Sequence, residues 1–271
     1  MSAFTETYNI HTHSFYCGHG SGTIAEYVRE AEDKGLQLLG FSEHCPFPDN
    51  FLHRSRMDYS MMESYERDVR VQQKEAGIQI LLGYECDYFP RYEGYLRKLK
   101  ESGRVDYLVT GTHFIERSDG TRVSPFSSIL TLDEIYRYRD QFIGALESGL
   151  FDYAAHPDLF MAGSSAWDEV HKSVAREIIS AAVRLSIPLE INGNGMLKRQ
   201  APDRFCYPFG PFWTLAARMG ASVILSTDAH STDNLTLTKA RLEVFAHQHG
   251  VRLVRPCVSA GGQLKWSGAG E

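Results

Sequence analysis

Two histidines one residue apart, His11 and His13, end a short run of β-forming residues near the start of the chain, and His19 follows a short loop. Side chains at positions i and i+2 of a strand point to the same face of the sheet. Neutral imidazole is the commonest protein ligand for zinc, and it also binds iron. The pair therefore predicts two imidazoles directed at one metal ion, although a single His-X-His motif also occurs as an ordinary surface pair.

The same pattern recurs along the chain, because every β-like run except the sixth ends in a histidine or a carboxylate. These candidate ligands are His11 with His13, His44, Glu85, His113, His156, and Asp228 with His230. Taken singly, each is more often a helix cap or a buried structural histidine. Their joint position at strand ends favours one site that binds several metal ions. Three other histidines, His171, His247 and His249, fall within predicted helices, and we interpret them as solvent-exposed.

Alternating strand-like and helix-like segments must bring these side chains together. The apolar, β-like runs lie at 8–13, 36–44, 78–87, 105–113, 151–156, 188–192 and 221–228, and the amphipathic stretches at 24–34, 59–75, 92–101, 132–147, 167–185, 212–219 and 235–247. Seven strand–helix units without a break in composition predict one α/β barrel domain over 1–271, with its core at about 7–258. The carboxyl ends of its strands would meet on one face, where active sites lie. A short strand is predicted at 252–258, followed by a flexible tail at 259–271.

Composition narrows the class of protein. The chain has 271 residues with a net charge of −6, and it lacks the basic stripe of a nucleic-acid-binding protein. No apolar run approaches about 18 residues, so no transmembrane helix is expected. The first residues lack the features of a secretory signal, and five scattered cysteines indicate reduced thiols. We therefore predict a cytoplasmic protein with a small substrate and no membrane or nucleic-acid partner; the oligomeric state stays open.

Nine motifs, in this order, resemble the PHP (polymerase and histidinol phosphatase) superfamily, and most closely its monofunctional histidinol-phosphate phosphatases. They are His-Thr-His (11–13), Cys-Gly-His-Gly (17–20), Gly-Phe-Ser-Glu-His-Cys-Pro (40–46), Arg-Ser-Arg-Met (54–57), Leu-Gly-Tyr-Glu-Cys-Asp-Tyr (82–88), Gly-Thr-His-Phe (111–114), Ala-His-Pro-Asp-Leu (155–159), Leu-Glu-Ile-Asn-Gly-Asn-Gly (189–195) and Ser-Thr-Asp-Ala-His (226–230). The resemblance covers about residues 7–235. It implies a distorted (β/α)7 TIM-like barrel with a trinuclear metal cluster at the carboxyl ends of the strands.

The resemblance also assigns a ligand set to each of three divalent transition-metal ions. All nine ligand positions are filled: His11, His13, Glu85 and Asp228 for the first ion, Glu85, His113 and His156 for the second, and His19, His44 and His230 for the third. Glu85 would thus bridge two ions. Zinc is the first choice of metal, and iron or manganese would also suit such ligands.

The activity implied by the resemblance is phosphomonoester hydrolysis by a metal-bridging hydroxide, with L-histidinol phosphate of histidine biosynthesis as the substrate. Two alternatives within the superfamily are a phosphatase for another small phosphomonoester and a phosphodiesterase or exonuclease. A third alternative is a non-catalytic metal-binding barrel. The acidic net charge counts against the nuclease, and the complete ligand set counts against the non-catalytic barrel.

Residues near the phosphate and the leaving group complete the predicted site. The predicted catalytic residues are Glu85 and Asp158. Glu85 would hold two metal ions at a fixed separation, and Asp158 could act as an acid or bind a substrate ammonium group. Capping of the next helix is the alternative role for Asp158. Arg199 corresponds to a basic position in the family, and Arg54 and Arg56 lie in a loop that resembles the family's Arg-Met segment. These three arginines are predicted to bind substrate, since the guanidinium group matches phosphate oxygens; a surface role is the alternative.

Overall fold

Strands and helices alternate along the chain in the computed structural model, which describes residues 7–198 and 204–268. The strands are β1 (Tyr8–Asn9), β2 (Leu38–His44), β3 (Gln79–Cys86), β4 (Tyr107–Thr110), β5 (Ile115–Glu116), β6 (Arg122–Val123), β7 (Tyr153–Ala154), β8 (Leu189–Asn192), β9 (Ser222–Ser226), β10 (Arg252–Val258) and β11 (Leu264–Gly268). The helices are α1 (Ile24–Asp33), α2 (Met62–Glu75), α3 (Glu93–Glu101), α4 (Leu132–Glu147), α5 (Glu169–Leu185), α6 (Gly210–Arg218) and α7 (Lys239–His249).

Seven parallel strands form the wall of a barrel, in the order β1-β2-β3-β4-β7-β8-β9. Just beyond β1 and β9, Thr12 and Ala229 form a parallel bridge, in which the His13 N–H donates to the Ala229 carbonyl at 2.8 Å. This bridge joins the first and last strands of the wall. The predicted α/β barrel is therefore confirmed, and it is distorted because β1 and β7 are only two residues long.

Two tyrosines fill the interior of the barrel. The hydroxyls of Tyr107 and Tyr153 donate to the carbonyl of Ile10 at 2.9 and 2.8 Å, which satisfies polar groups that have no access to water. Gly40 and Gly83 make room for Tyr107, since a Cβ at either position would lie 2.5 Å from an atom of its side chain. These side chains occupy the interior below the carboxyl ends of the strands, so the room for a ligand lies on the side of the loops that follow the strands.

Capping residues set where two outer helices begin. At the start of α1, the Glu26 N–H donates to the Thr23 hydroxyl at 3.2 Å, and the Glu26 carboxylate accepts from the Thr23 N–H at 2.7 Å. Thr131 and Glu134 form the same capping box at the start of α4. Such reciprocal bonds satisfy donors that the first helical turn leaves unpaired. The local sequence thus determines the helix starts that follow two of the barrel strands.

Two hairpins differ from the sequence prediction. The short hairpin of β5 and β6 lies in the connection from β4 to α4, and the sequence signal for it is the Asp119-Gly120 turn. The second hairpin pairs β10 with β11, so part of the predicted flexible tail is ordered as a strand. Leu264 of β11 is only 4% exposed and packs with the apolar side chains at the base of the barrel. Burial of Leu264 against this cluster is the physical reason for the correction.

The prediction of three solvent-exposed helical histidines also needs correction. His171 is 7% exposed, and its Nδ1 lies 2.7 Å from the carboxylate of Asp168, the N-cap of α5. His249 is half-buried and lies 2.9 Å from the Thr214 hydroxyl, whereas His247 is exposed as expected. The reason is that the first turn of α5 and the last turn of α7 pack against neighbouring segments, which the helical pattern alone does not reveal.

Candidate metal centre

The nine predicted ligands meet on one face of the barrel, at the carboxyl ends of six strands. His44 is the last residue of β2, Glu85 is the penultimate residue of β3, and His113 follows β4 by three residues. The other positions follow β1, β7 and β9. Because parallel strands end at the same rim, residues 200 or more positions apart become neighbours, as for His13 and His230, whose rings stack at 4.4 Å.

Glu85 lies between two sets of imidazoles. Its Oε2 is 3.4 Å from Nε2 of both His11 and His13. Its Oε1 is 3.1 Å from Nε2 of His113 and 3.0 Å from Nε2 of His156. Burial alone would raise the pKa of Glu85, but the surrounding imidazoles, led by His113 and His11, hold it well below the usual range. One ionised carboxylate therefore presents one oxygen to each set of histidines, as a bridging ligand must.

Asp228 completes the first set of ligands. Its Oδ1 lies 3.6 Å from Nε2 of His11 and 3.3 Å from Nε2 of His13. All three atoms are buried, and none has a hydrogen-bond partner within the described part of the chain. Unsatisfied buried polar atoms are costly, so three of them converging on one point fit a bound cation. His11, His13 and Asp228 could hold a metal ion there.

A third set of predicted ligands lies nearer to solvent. Nε2 of His19 and Nε2 of His230 are 3.2 Å apart, and the ring of His44 lies 5.3 Å from that of His19. Burial and the nearby His13 lower the pKa of His230 to about 3, so this imidazole is neutral and able to bind a metal. His44 also belongs to groups that reach His13 on one side and Glu85 on the other.

Sequence reasoning missed three buried carboxylates behind the candidate ligand histidines, two of which are close enough to orient a ring. Nδ1 of His11 lies 2.7 Å from Glu190, and Nδ1 of His113 lies 3.1 Å from Asp87. Glu43 is farther from His13, with its Oε2 at 3.8 Å from Nδ1. Carboxylates behind metal-binding imidazoles determine which ring nitrogen faces the metal and increase its basicity. The signal available in the sequence is a carboxylate within a buried apolar run, as at Glu190 in β8.

Two of the candidate ligands have strained backbone conformations. His156 and Asp228 have positive φ angles of 29° and 50°, a region that costs a non-glycine residue about 1 kcal/mol or more. Both residues come just after short or ending strands, where the chain must turn sharply. Such strain persists only where the surroundings hold it, and it is commonly found at functional sites.

Gly111 leaves the space that the second ligand set occupies. A Cβ at this position would lie 2.5 Å from Oε1 of Glu85, 2.7 Å from Cε1 of His113 and 3.1 Å from Cε1 of His156. The first two separations are shorter than real Cβ contacts, and the third is tighter than most of them. The approach of Glu85 to both histidines therefore requires glycine at residue 111.

The other predicted site residues have different surroundings. Arg56 is buried, and its guanidinium donates to Asp87 at 2.7 Å and to the Cys45 carbonyl at 2.8 Å. Arg54 is exposed and lines a separate cavity. Arg199 lies outside the described residues. The structure thus places Arg56 behind Asp87 and His113, where it positions a ligand.

Asp158 is held at the beginning of α6. One carboxylate oxygen accepts hydrogen bonds from the Phe209 N–H and, at 2.9 Å, from the Trp213 indole N–H. The other oxygen is buried without a partner among the described residues. Burial raises the pKa of Asp158 to about 6. Asp158 thus accepts a hydrogen bond from Phe209, the N-cap residue of α6. The alternative role of Asp158 is to cap the next helix along the chain, and α6 is not that helix.

A cavity of about 580 Å³ opens directly above the ligands. The floor of this cavity is formed by five predicted ligands: His19, His44, His113, Asp228 and His230. A substrate would reach the centre through the cavity. Its walls also include Asn194 of the motif at 189–195 and four residues that the sequence analysis did not single out: Phe126, Lys198, Arg204 and Tyr207. Two of these side chains are cationic, so the cavity offers positive charge beside the metal ligands, as an anionic substrate requires.

The fold and the ligand cluster together define a metal-binding α/β barrel with an open cavity over its centre. The chain belongs to the PHP domain family, whose sequence profile matches residues 9–194.

Named relatives agree with this assignment. A Deinococcus radiodurans protein named "Probable histidinol-phosphatase" is 30% identical over 226 residues, which cover 81% of this chain and 85% of that protein. A Bacillus subtilis protein named "Histidinol-phosphatase" is 31% identical over 133 residues, covering 45% of this chain and 47% of that protein.

A solved structure extends the comparison to the fold. Histidinol phosphate phosphatase from Lactococcus lactis, complexed with Zn, L-histidinol and phosphate, superimposes with a TM-score of 0.72 at 18% identity. The superposition covers 96% of this chain and 99% of that chain. In the described ranges, no helix is both long and apolar enough to cross a membrane.

Proposed function

We propose that this protein is a metal-dependent phosphatase that hydrolyses L-histidinol phosphate to L-histidinol and phosphate. The observation that carries the proposal is the position of Glu85, whose two oxygens lie 3.0 to 3.4 Å from imidazole nitrogens of two separate histidine sets. A bridging carboxylate between two metals about 3.5–4 Å apart is the usual basis of two-metal phosphate chemistry.

The proposed cofactors are three divalent transition-metal ions, with zinc as the first choice and iron or manganese as alternatives. His11, His13, Glu85 and Asp228 would hold the first ion. The second would share Glu85 with His113 and His156, and the third would bind His19, His44 and His230. The buried, unpartnered nitrogens of His11 and His13 support the first of these sites. Zinc in the Lactococcus lactis enzyme supports the choice of metal.

When bound, such ions neutralise a phosphate dianion and lower the pKa of water, so that a nucleophile forms near neutral pH. Glu85 keeps the two ligand sets at a fixed separation, while Glu190 and Asp87 hold the imidazoles of His11 and His113 in the orientation required for ligation. Arg56 balances the charge of Asp87 at 2.7 Å. These residues would hold the metal ligands in place, and the bound ions would neutralise the reacting phosphate group.

Residues on the substrate side of the centre complete the mechanism. Arg199 is the proposed grip on the outer phosphate oxygens, and its neighbour Lys198 lines the cavity above the ligands. Asp158, two residues after His156, is proposed to protonate the leaving alkoxide or to bind the substrate ammonium. Its free buried oxygen supports this role, because that atom has no structural hydrogen bond to satisfy it.

Histidinol phosphate is favoured by the names of the Deinococcus radiodurans and Bacillus subtilis relatives and by the ligands of the Lactococcus lactis structure. The second candidate is a phosphatase for another small phosphomonoester, because segments 160–163 and 192–195 depart from the pattern that many histidinol phosphatases carry in substrate-contacting loops. We place the protein in the cytoplasm, a choice supported by five cysteines that form no disulfide in the described part of the chain.

A phosphate-release screen of the metal-loaded protein tests the function. We expect L-histidinol phosphate to give the highest kcat/KM among small phosphomonoesters and a phosphodiester to give little turnover. Preference for another monoester would change the substrate but keep the phosphatase. Release from the diester alone would contradict the proposal.

A further inference from the structure

Shared lining residues connect the main cavity above the candidate metal centre, through a narrow space, to a third and larger cavity. The main cavity and a narrow space of about 140 Å³ share four lining residues, His19, His44, His113 and Phe126. The narrow space in turn shares Ser55 and Phe114 with a third cavity of about 770 Å³. A bound molecule with a reactive group at the metals could therefore extend through the narrow space into the third cavity.

The third cavity, called here the basic cavity, is lined by Arg54, Arg117, Arg122 and His53, together with serines and apolar side chains. No aspartate or glutamate is among its described lining residues. Arg117 is partly neutralised, since its Nε donates to Glu134 at 2.7 Å. Arg54 and Arg122 form no ion pair within the described part of the chain, so they leave net positive charge in the cavity.

Two features distinguish this cavity from an ordinary charged surface. The guanidinium of Arg122 lies 4.6 Å over the ring of Phe51, which holds the cation in place without neutralising it. Ser124 and Ser128 line the same space with half-buried hydroxyls. Guanidinium groups and hydroxyls arranged around a concavity are the donors that bind phosphate and carboxylate.

We propose that the basic cavity is a second anion-binding subsite, and that the enzyme also accepts phosphomonoesters that carry a second phosphate or carboxylate at their far end. The inference rests on the proposed phosphatase function. Histidinol phosphate bears an ammonium group, which the basic cavity would repel, so its histidinol end belongs in the main cavity.

Alkanediol bisphosphates of increasing chain length provide the test, each compared with the ω-hydroxyalkyl monophosphate of equal length. In the reaction, water oxygen forms a bond to one phosphorus, the ester P–O bond breaks, and the alkoxide takes a proton, giving inorganic phosphate and the hydroxyalkyl phosphate. We expect kcat/KM to be roughly tenfold higher for the bisphosphate once the chain spans the narrow space, as one charge-assisted contact allows. A ratio near one at every length would overturn the inference.

Arg122→Gln and Arg54→Gln should reduce that ratio towards one. The matched control is Arg218→Gln, which removes the same charge from an exposed position at the end of α6 and should leave the ratio unchanged. An equal loss in the control would mean that net charge, rather than the basic cavity, attracts the bisphosphate.

Calorimetry with non-hydrolysable alkane bisphosphonates and alkylphosphonates measures binding without turnover. It therefore tests this inference separately from the proposed function. Tighter binding of the bisphosphonate that Arg122→Gln abolishes supports the subsite even if no phosphomonoester is hydrolysed. Hydrolysis of monoesters without any preference for two anionic groups, in binding or in turnover, would retain the phosphatase and remove the subsite.

Discussion

Glu85 connects most of the proposed centre through one side chain. Its Oε2 faces His11, His13 and, at 3.0 Å, His44, and its Oε1 faces His113 and His156. This arrangement fits bound cations, because the buried Nε2 atoms of His11 and His13 have no hydrogen-bond partner among the described residues. The consequences of changing Glu85 should therefore exceed those of changing any one histidine.

Glu85→Gln retains the shape of the side chain but removes the bridging charge. We expect activity to fall by a factor on the order of 10³ or more, because both metal sites that share the carboxylate lose their charge balance. Phosphate release and elemental analysis should change together. Glu63→Gln, the same substitution on the exposed surface of α2, should leave both unchanged; similar losses in the two variants would mean that the centre lies elsewhere.

Gly111→Ala tests the packing of the second ligand set without changing a ligand. The added Cβ would lie 2.5 Å from Oε1 of Glu85, so the carboxylate must move. We expect metal content to fall and activity to drop roughly 100-fold, the scale of losses seen when a metal ligand is misplaced. Gly94→Ala is the control, since a Cβ at that position meets nothing within 4 Å. Full metal content and activity in Gly111→Ala would contradict the proposed role of Glu85.

Arg199→Ala separates phosphate recognition from metal binding. Loss of a bidentate, charge-assisted contact should cost about 2–4 kcal/mol of transition-state binding, or about 30- to 1000-fold in kcat/KM, with unchanged metal content. Arg199→Lys should recover part of the loss, because lysine supplies charge without the fork. Inhibition by inorganic phosphate should weaken in parallel. If turnover is unchanged, the phosphate grip must come from other cations, such as Lys198 and Arg204 of the cavity wall.

At the scale of elements, the hairpin of β10 and β11 closes the end of the barrel opposite to the ligands. Val254 and Leu264 are each 4% exposed and belong to the same apolar cluster as Tyr153. Trp266 meets the Tyr153 ring edge-on at 6.0 Å. The hairpin thus supports the strands from below, far from any contact with the metals.

Leu264→Ala should therefore destabilise the fold and leave the chemistry intact. Removal of a buried leucine side chain costs about 2–4 kcal/mol, which corresponds to a fall in Tm of roughly 5–12 °C for a chain of this size. Activity per folded molecule should not change. Leu237→Ala removes the same atoms from a side chain that is 58% exposed and should shift Tm little. If Leu264→Ala lowered Tm no more than Leu237→Ala does, the hairpin of β10 and β11 would not pack as described.

At the scale of the whole molecule, six strands converge on one cluster, so metal binding should stabilise the entire barrel. We expect two to three transition-metal ions per chain and a rise in Tm when zinc or manganese is added. A ligand present at a hundred times its dissociation constant adds about 2.7 kcal/mol to the free energy of unfolding by mass action. Elemental analysis and thermal unfolding provide the measurements. Trace metal content with no stabilisation by either ion would refute the proposed centre, and Glu85→Gln should lose most of the gain.

The sequence by itself determined the order of elements and the chemical type of the site. Buried apolar runs bounded by Gly or Pro predicted all seven strands of the barrel wall, because strand formation and burial depend on local patterns. Histidines and carboxylates at the ends of those runs predicted a shared centre. That inference needs only the rule that parallel strands end at one rim.

Only the tertiary structure decided which side chains meet behind that centre. His11 and Glu190 are hydrogen-bonded across 179 positions of sequence, and no local pattern marks such a pair. The same reason separates two arginines of one motif: Arg56 is buried against Asp87, whereas Arg54 faces the basic cavity. Partner choice depends on which strands become neighbours and on the space left between them. Those quantities arise when the barrel closes, and spacing along the chain does not contain them.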